Sequence, residues 1–213
     1  MKLYSYFRSS AAYRVRIALN LKGLDADIQS VHLVKNGGEQ HLAAYHEIHP
    51  SGLVPAWVED DFTLTQSLAI LEYLEEKYPE PALLPQDLQQ RGWIRAFAQS
   101  IACDLHPLNN LRVLQYLTGT LHISDDAKTE WYKHWLILGF QSLEAQLIHS
   151  QGKFCFGDRP SFADCCLIPQ VYNAKRFNID LTDFPKIIAI EQHCNTLPAF
   201  QKAAPEAQAD ATT

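Results

Sequence analysis

No stretch of these 213 residues approaches the ~18 uncharged apolar residues that a membrane span needs. No signal-peptide core opens the chain either, because Arg8 follows Lys2 before an apolar run can form. The chain is therefore expected to stay in the cytoplasm where it is made, with no membrane partner. Cys103, Cys155, Cys165, Cys166 and Cys194 are odd in number and contain no CxxC pair, which argues against a disulfide framework and for a reducing compartment. There is no HExxH and no partnered cysteine cluster, so His41, His46 and His49 are weak grounds for a metal site, and none is expected. An overall basic balance is also missing. The formal charge of −6 argues against a nucleic-acid partner, since phosphate contacts need a basic surface. Internal repeats and low-complexity blocks are absent.

What is present is an ordinary globular composition, 47% hydrophobic and 20% charged, in a chain long enough for one large or two small domains. Only the Ala/Gln/Asp/Thr-rich tail after Pro205 departs from it. The acidic average hides a local reversal. Met1 to Leu24 carries Lys2, Arg8, Arg14, Arg16 and Lys22 and no acidic residue. That makes it either an anion-binding region or a solvated basic helix face.

Lys2 to Tyr6 alternates like a short strand, which Arg8, Ser9 and Ser10 interrupt. Helical spacing then runs from Ala11 to Lys22, with Gly23 where a helix end wants a left-handed residue. A second strand is predicted over Ala26 to Leu33, and a loose or short helix within Asn36 to His49. Val54 to Val58 and Phe62 to Leu64 predict a hairpin around Glu59, Asp60 and Asp61. Leu68, Leu71, Leu74 and Tyr78 mark a helix that stops before Pro79. Three prolines between positions 79 and 86 make a stiff connection, beyond which strand patterns vanish. Helices are predicted over 88–117, 125–148 and 162–177, followed by two shorter pieces. Ser161 and Asp164 form the Ser-x-x-acid signature of a capping box. The pattern is a small α/β domain followed by an all-α one.

A strand that ends in Arg8-Ser9-Ser10 and runs into a helix sets hydroxyls and free N–H groups at a positive helix end, where an anion is stabilised. For a thiolate, the dipole and a charge-assisted hydrogen bond together lower the pKa by roughly one to two units. Local sequence alone equally allows Ser9 and Ser10 to be simple caps.

Five segments bring a family into view. RSSAAYRVRIALNLKG at 8–23, LVPAW at 53–57, TQSLAILEYLEEKYPEPALLP at 65–85, CDLHPLNNLRVL at 103–114 and FGDRPSFADCCLIPQV at 156–171 together resemble zeta-class glutathione transferases, including maleylacetoacetate and maleylpyruvate isomerases. The resemblance implies an α/β thioredoxin-like N-terminal domain at 1–80, a linker at 81–87 and an all-α substrate-binding domain at 88–213. It also implies a homodimer and a place in aromatic catabolism. By the same resemblance Ser9, with Ser10 beside it, serves the thiolate of glutathione. Val54, before a cis Pro55, pairs with the cysteinyl part, and Gln66 and Ser67 take the γ-glutamyl carboxylate at a helix N-terminus. His106, next to a Pro107 expected to kink its helix, contacts glutathione. Arg8, Arg112 and Arg176 are the candidates for holding the substrate's carboxylates, which a guanidinium grips with two bonds. Arg14 and Arg16 are left as helix-surface or inter-element contacts.

The expected activity is glutathione-dependent cis–trans isomerisation of a maleyl-type dicarboxylate by reversible thiolate addition. Conjugation or dehalogenation of a small anionic electrophile by the same thiolate, or a non-catalytic interaction module on the same fold, are the alternatives. Ala11 stands where many zeta-class members have cysteine. The sulfur must then come from glutathione.

Overall fold

The computed structural model describes residues 1–148 and 150–212, which form two compact units. The first comprises Met1–Leu84 together with the C-terminal segment from Asn195, and the second runs from Pro85 to Cys194.

In the first unit β1 (Lys2–Ser5) leads through a turn to α1 (Ser10–Leu21), then β2 (Asp27–Ser30) and the short α2 (Ala43–Ile48). The hairpin β3 (Ala56–Glu59) and β4 (Phe62–Thr65) and the helix α3 (Ser67–Lys77) follow. The sheet has the order β2-β1-β3-β4, parallel between β1 and β2 and antiparallel elsewhere, a mixed thioredoxin-like arrangement. α1 is buried along most of its length. It ends in a Schellman motif: Leu24 N–H donates to Leu19 O at 2.9 Å and Gly23 N–H to Asn20 O at 3.2 Å, with Gly23 at φ +65°. The predicted role of Gly23 is thus met. α9 (Pro198–Ala203) returns to this unit, where Asn20 Nδ2 donates to Ala199 O at 2.9 Å.

A buried ion pair closes the unit's exit. Lys22 Nζ lies 2.7 Å from Glu75 Oε2 and also donates to Tyr78 O and Pro81 O. Glu75 in turn accepts from Leu83 N–H and Leu84 N–H. Both charges therefore have the further hydrogen bonds without which a buried pair is costly.

The second unit contains α4 (Leu88–Gln99), α5 (Leu111–Gly119), α6 (Asp125–Leu147), α7 (Phe162–Arg176) and α8 (Pro185–Cys194). One helix predicted from the periodicity is not continuous. The span 88–117 breaks after Gln99 into a π-type segment, Ser100–Leu105, and a 3₁₀ segment, His106–Asn109, before α5 begins. Pro107 accounts for part of this, because it lacks an N–H and sits early in a new short turn. Asn110 accounts for the rest. Its Oδ1 accepts Arg112 N–H at 3.1 Å and restarts the helix as an N-cap. The capping box is present: Asp164, fully buried, accepts Ser161 N–H at 2.8 Å.

Candidate active site

The turn between β1 and α1 is closed by Ser9 N–H donating to Tyr6 O at 2.9 Å, with Phe7 and Arg8 at its corners. Ser9 is the N-cap of α1 and its Oγ accepts Ala12 N–H at 3.2 Å. A serine hydroxyl that accepts in this way still has its proton to donate. The first turn of α1 carries no acidic residue, so the helix's positive end is not neutralised from within. Ser9 is half-buried and able to meet a ligand, whereas Ser10, the first residue of the helix, is buried beneath it. Arg8 is exposed, its guanidinium 4.8 Å from the Phe7 ring centroid.

Val54 is buried and its bond to Pro55 is cis. Val54 shares an apolar cluster with Tyr6, Phe7, Val31 and Tyr45, so the turn before α1 and the residue before the cis proline rest on one foundation. Gln66 precedes α3 with φ 72° and ψ 114°, in the left-handed half of backbone space that a residue with a Cβ rarely enters. Such strain is found where function requires a particular backbone direction. Ser67 is buried, and its Oγ accepts from Arg14 Nη1 at 3.1 Å. Arg14 and Arg16 are both buried, so the helix-surface reading of them fails and the inter-element one holds. Arg14 brings a positive charge under the start of α3. The acid-free run of basic residues near the N-terminus was the sequence signal for it.

Within the second unit, His106, Asn110 and Arg112 form a connected group. Asn110 Oδ1 accepts Arg112 N–H, and its Nδ2 lies 3.2 Å from His106 Nε2. Arg112 is exposed in the first turn of α5. Arg176 is exposed in the last turn of α7, its guanidinium 4.8 Å from the Phe177 ring centroid. Phe177 stacks on Tyr132 at 3.9 Å. Burial pushes the Tyr132 hydroxyl well above the usual tyrosine range, and the nearby Arg176 charge pulls it down in part. Among the described residues, the Tyr132 hydroxyl and the Asn109 amide are buried without a hydrogen-bond partner. Such groups normally find water or a ligand. Nothing in the sequence singled out either one. Among the described residues no group of three or more His, Cys, Asp or Glu is placed to hold a metal ion, and no helix is long and apolar enough to cross a membrane.

Comparison with known proteins shows the family. Residues 3–82 match the family model for the glutathione S-transferase N-terminal domain. A probable maleylacetoacetate isomerase of Vibrio cholerae is 52% identical over 98% of this chain and 97% of its own length. The chain belongs to the zeta-class glutathione transferase family. A solved zeta-class bacterial maleylpyruvate isomerase in its holo form superposes with a TM-score of 0.95 at 46% identity, covering 99% of this chain and 100% of that one. A maleylacetoacetate isomerase from Methylobacterium extorquens AM1, solved with malonate and GSH bound, gives a TM-score of 0.94 at 38% identity, with 99% of each chain covered. The zeta-class fold expected from the sequence is the fold observed, in both the mixed four-stranded sheet and the helical remainder.

Proposed function

We propose that this chain is a glutathione-dependent isomerase that converts the cis double bond of a maleyl-type dicarboxylate, maleylacetoacetate or maleylpyruvate, to trans. The observation that carries the reading is the half-exposed Ser9 hydroxyl at a helix N-terminus with no acid in its first turn. Full-length relatives named for both isomerases support the choice of reaction.

The residues of the first unit suit an acidic thiol tripeptide. Ser9 offers a hydroxyl at the start of α1, a cis bond leads into β3 at Val54, and an acid-free helix start at Gln66 and Ser67 is backed by Arg14. When bound, glutathione supplies a thiolate whose reversible addition makes the double bond a rotatable single bond. Ser9 donates to that sulfur and, with the end of α1, holds its proton off near neutral pH, while Ser10 shapes the first turn. Val54 orients the cysteinyl part through its backbone. Gln66 and Ser67 receive the γ-glutamyl carboxylate. His106 contacts the tripeptide. Arg8, Arg112 and Arg176 hold the substrate carboxylates and stabilise the negative charge that develops on the carbonyl side. On this reading residues 1–80 bind glutathione and the helices from residue 88 onward bind substrate, in a cytoplasmic homodimer.

The test is to follow isomerisation of maleylpyruvate and of maleylacetoacetate with and without catalytic glutathione. Turnover that needs glutathione without depleting it is expected, and Arg176→Ala is expected to raise KM for the dicarboxylate. Glutathione binding with no turnover of either substrate would sink the isomerase reading and leave a conjugating or dehalogenating transferase.

A further inference from the structure

We propose that Asp210, in the C-terminal 3₁₀ turn Ala209–Thr212, is a positioning residue for the turn that carries Arg8 and Ser9. The proposal rests on the reading of Ser9 given above. At the corner of the turn, Phe7 lies beyond the end of β1 and before α1, so its backbone groups have no partner in either element. Both are taken by distant residues. Phe7 N–H donates to Asp210 Oδ2 at 3.1 Å, and Ser30 Oγ donates to the same oxygen at 3.0 Å. Phe7 O accepts from Arg16 Nη2 at 3.0 Å, while Arg16 Nε donates to Ala203 O, also at 3.0 Å. The C-terminal segment thus reaches Phe7 directly through Asp210 and indirectly through Ala203 and Arg16.

Packing reinforces these bonds. Ala211, the residue after Asp210, lies against the cluster of Tyr6, Phe7, Val31, Tyr45 and Val54. That cluster underlies both the Ser9 turn and the residue before the cis proline. A tail whose composition alone predicts little order is therefore part of the support for the site. Loss of the carboxylate strands Phe7 N–H and frees the turn to shift by a fraction of an ångström. A misplacement near 1 Å can cost about a hundred-fold in rate. Because Ser9 is also anchored to Ala12 within α1, the loss is expected to stop at about ten-fold.

The experiment titrates enzyme-bound glutathione by thiolate absorbance and measures kcat for wild type, Asp210→Ala, Asp210→Asn and Ser9→Gly. Asp210→Ala should raise the apparent pKa of the bound thiol by about half a unit or more and lower kcat about ten-fold. Asp210→Asn keeps an acceptor oxygen and should return to within about three-fold of wild type. A tail that is only a structural staple would lower Tm without moving the thiol titration. That result, with Ser9→Gly shifting the titration, overturns the role of Asp210 alone. If Ser9→Gly leaves the titration unmoved, the reading of Ser9 fails and the role of Asp210 falls with it. Should Asp210→Ala not fold, Asp210→Glu, which displaces the carboxylate by one methylene, reads the same shift at smaller amplitude, and an unshifted thiol there is equally fatal.

Discussion

Of the helices capped by a serine, α1 and α7 differ most in how their positive ends are answered. At α7, Ser161 is buried, and the carboxylate of Asp164 in the same first turn accepts Ser161 N–H, Ser161 Oγ–H and Cys155 N–H. The positive end of that helix is answered from within the fold. At α1, Ser9 accepts Ala12 N–H but no acidic residue occupies the first turn, and the hydroxyl is half-exposed. No carboxylate within that first turn answers the dipole. A capped helix is a structural feature when its charge is matched internally. It becomes a candidate binding site when the charge is left unmatched.

The largest effect is expected from dismantling the matched end. Asp164→Ala leaves two buried N–H groups unpartnered and should cost about 3 kcal/mol. In urea denaturation it should lower the midpoint, while kcat per folded molecule stays within about two-fold of wild type. A large loss of kcat in the folded protein would erase the distinction between the two helices. Next comes Ser9→Gly, which removes the hydroxyl but costs a cap only a few tenths of a kcal/mol. A drop in kcat of about fifty-fold with an almost unchanged melting curve is expected, and the converse pattern would make Ser9 merely a cap.

Making α1 resemble α7 is a sharper trial. Ala11→Asp places a carboxylate beside the thiol site and should lower kcat about ten-fold, with the helix itself gaining up to about 0.5 kcal/mol. Full activity in that variant would mean that the unmatched helix end is irrelevant to catalysis.

The smallest effect concerns pH. Burial raises the Asp164 carboxyl above its usual range, although the hydrogen bonds from Cys155 and Ser161 oppose it. A carboxyl whose folded pKa lies above its unfolded one binds its proton more tightly in the folded state. Its stabilisation is therefore complete below about pH 4 and is lost as pH rises through the folded value. Relative to the non-titrating Asp164→Asn, wild type should lose stability as pH rises above about 4. The opposite slope would show that the hydrogen bonds outweigh burial.

Much of this was legible in the residues themselves. Ser9 before an apolar-periodic run, Gly23 behind it and Ser161 three residues before Asp164 are local patterns with local causes, and each stands as expected. Apolar spacing persists through the helix break at 100–110, so the spacing predicts only a kink there. What ends the helix is a change in hydrogen-bond pattern, which spacing does not record. Arg14 and Arg16 read in the sequence as part of a basic segment, but their burial depends on partners at Ser67 and Ala203, far along the chain.

The sequence by itself determined the order of elements, the caps at Ser9, Gly23 and Ser161, and the family, and it supplied the candidates for handling a thiol and carboxylates. These follow from periodicity, from side chains that bond their own backbone, and from long ordered motifs. Only the tertiary structure decided which of those groups are matched internally. It turned Arg14 and Arg16 inward, seated Ala211 on the cluster beneath Phe7, and brought Asp210 to the Phe7 amide across 203 residues. Such pairings carry no local signature, because a hydrogen bond between distant residues is set by how the intervening elements pack.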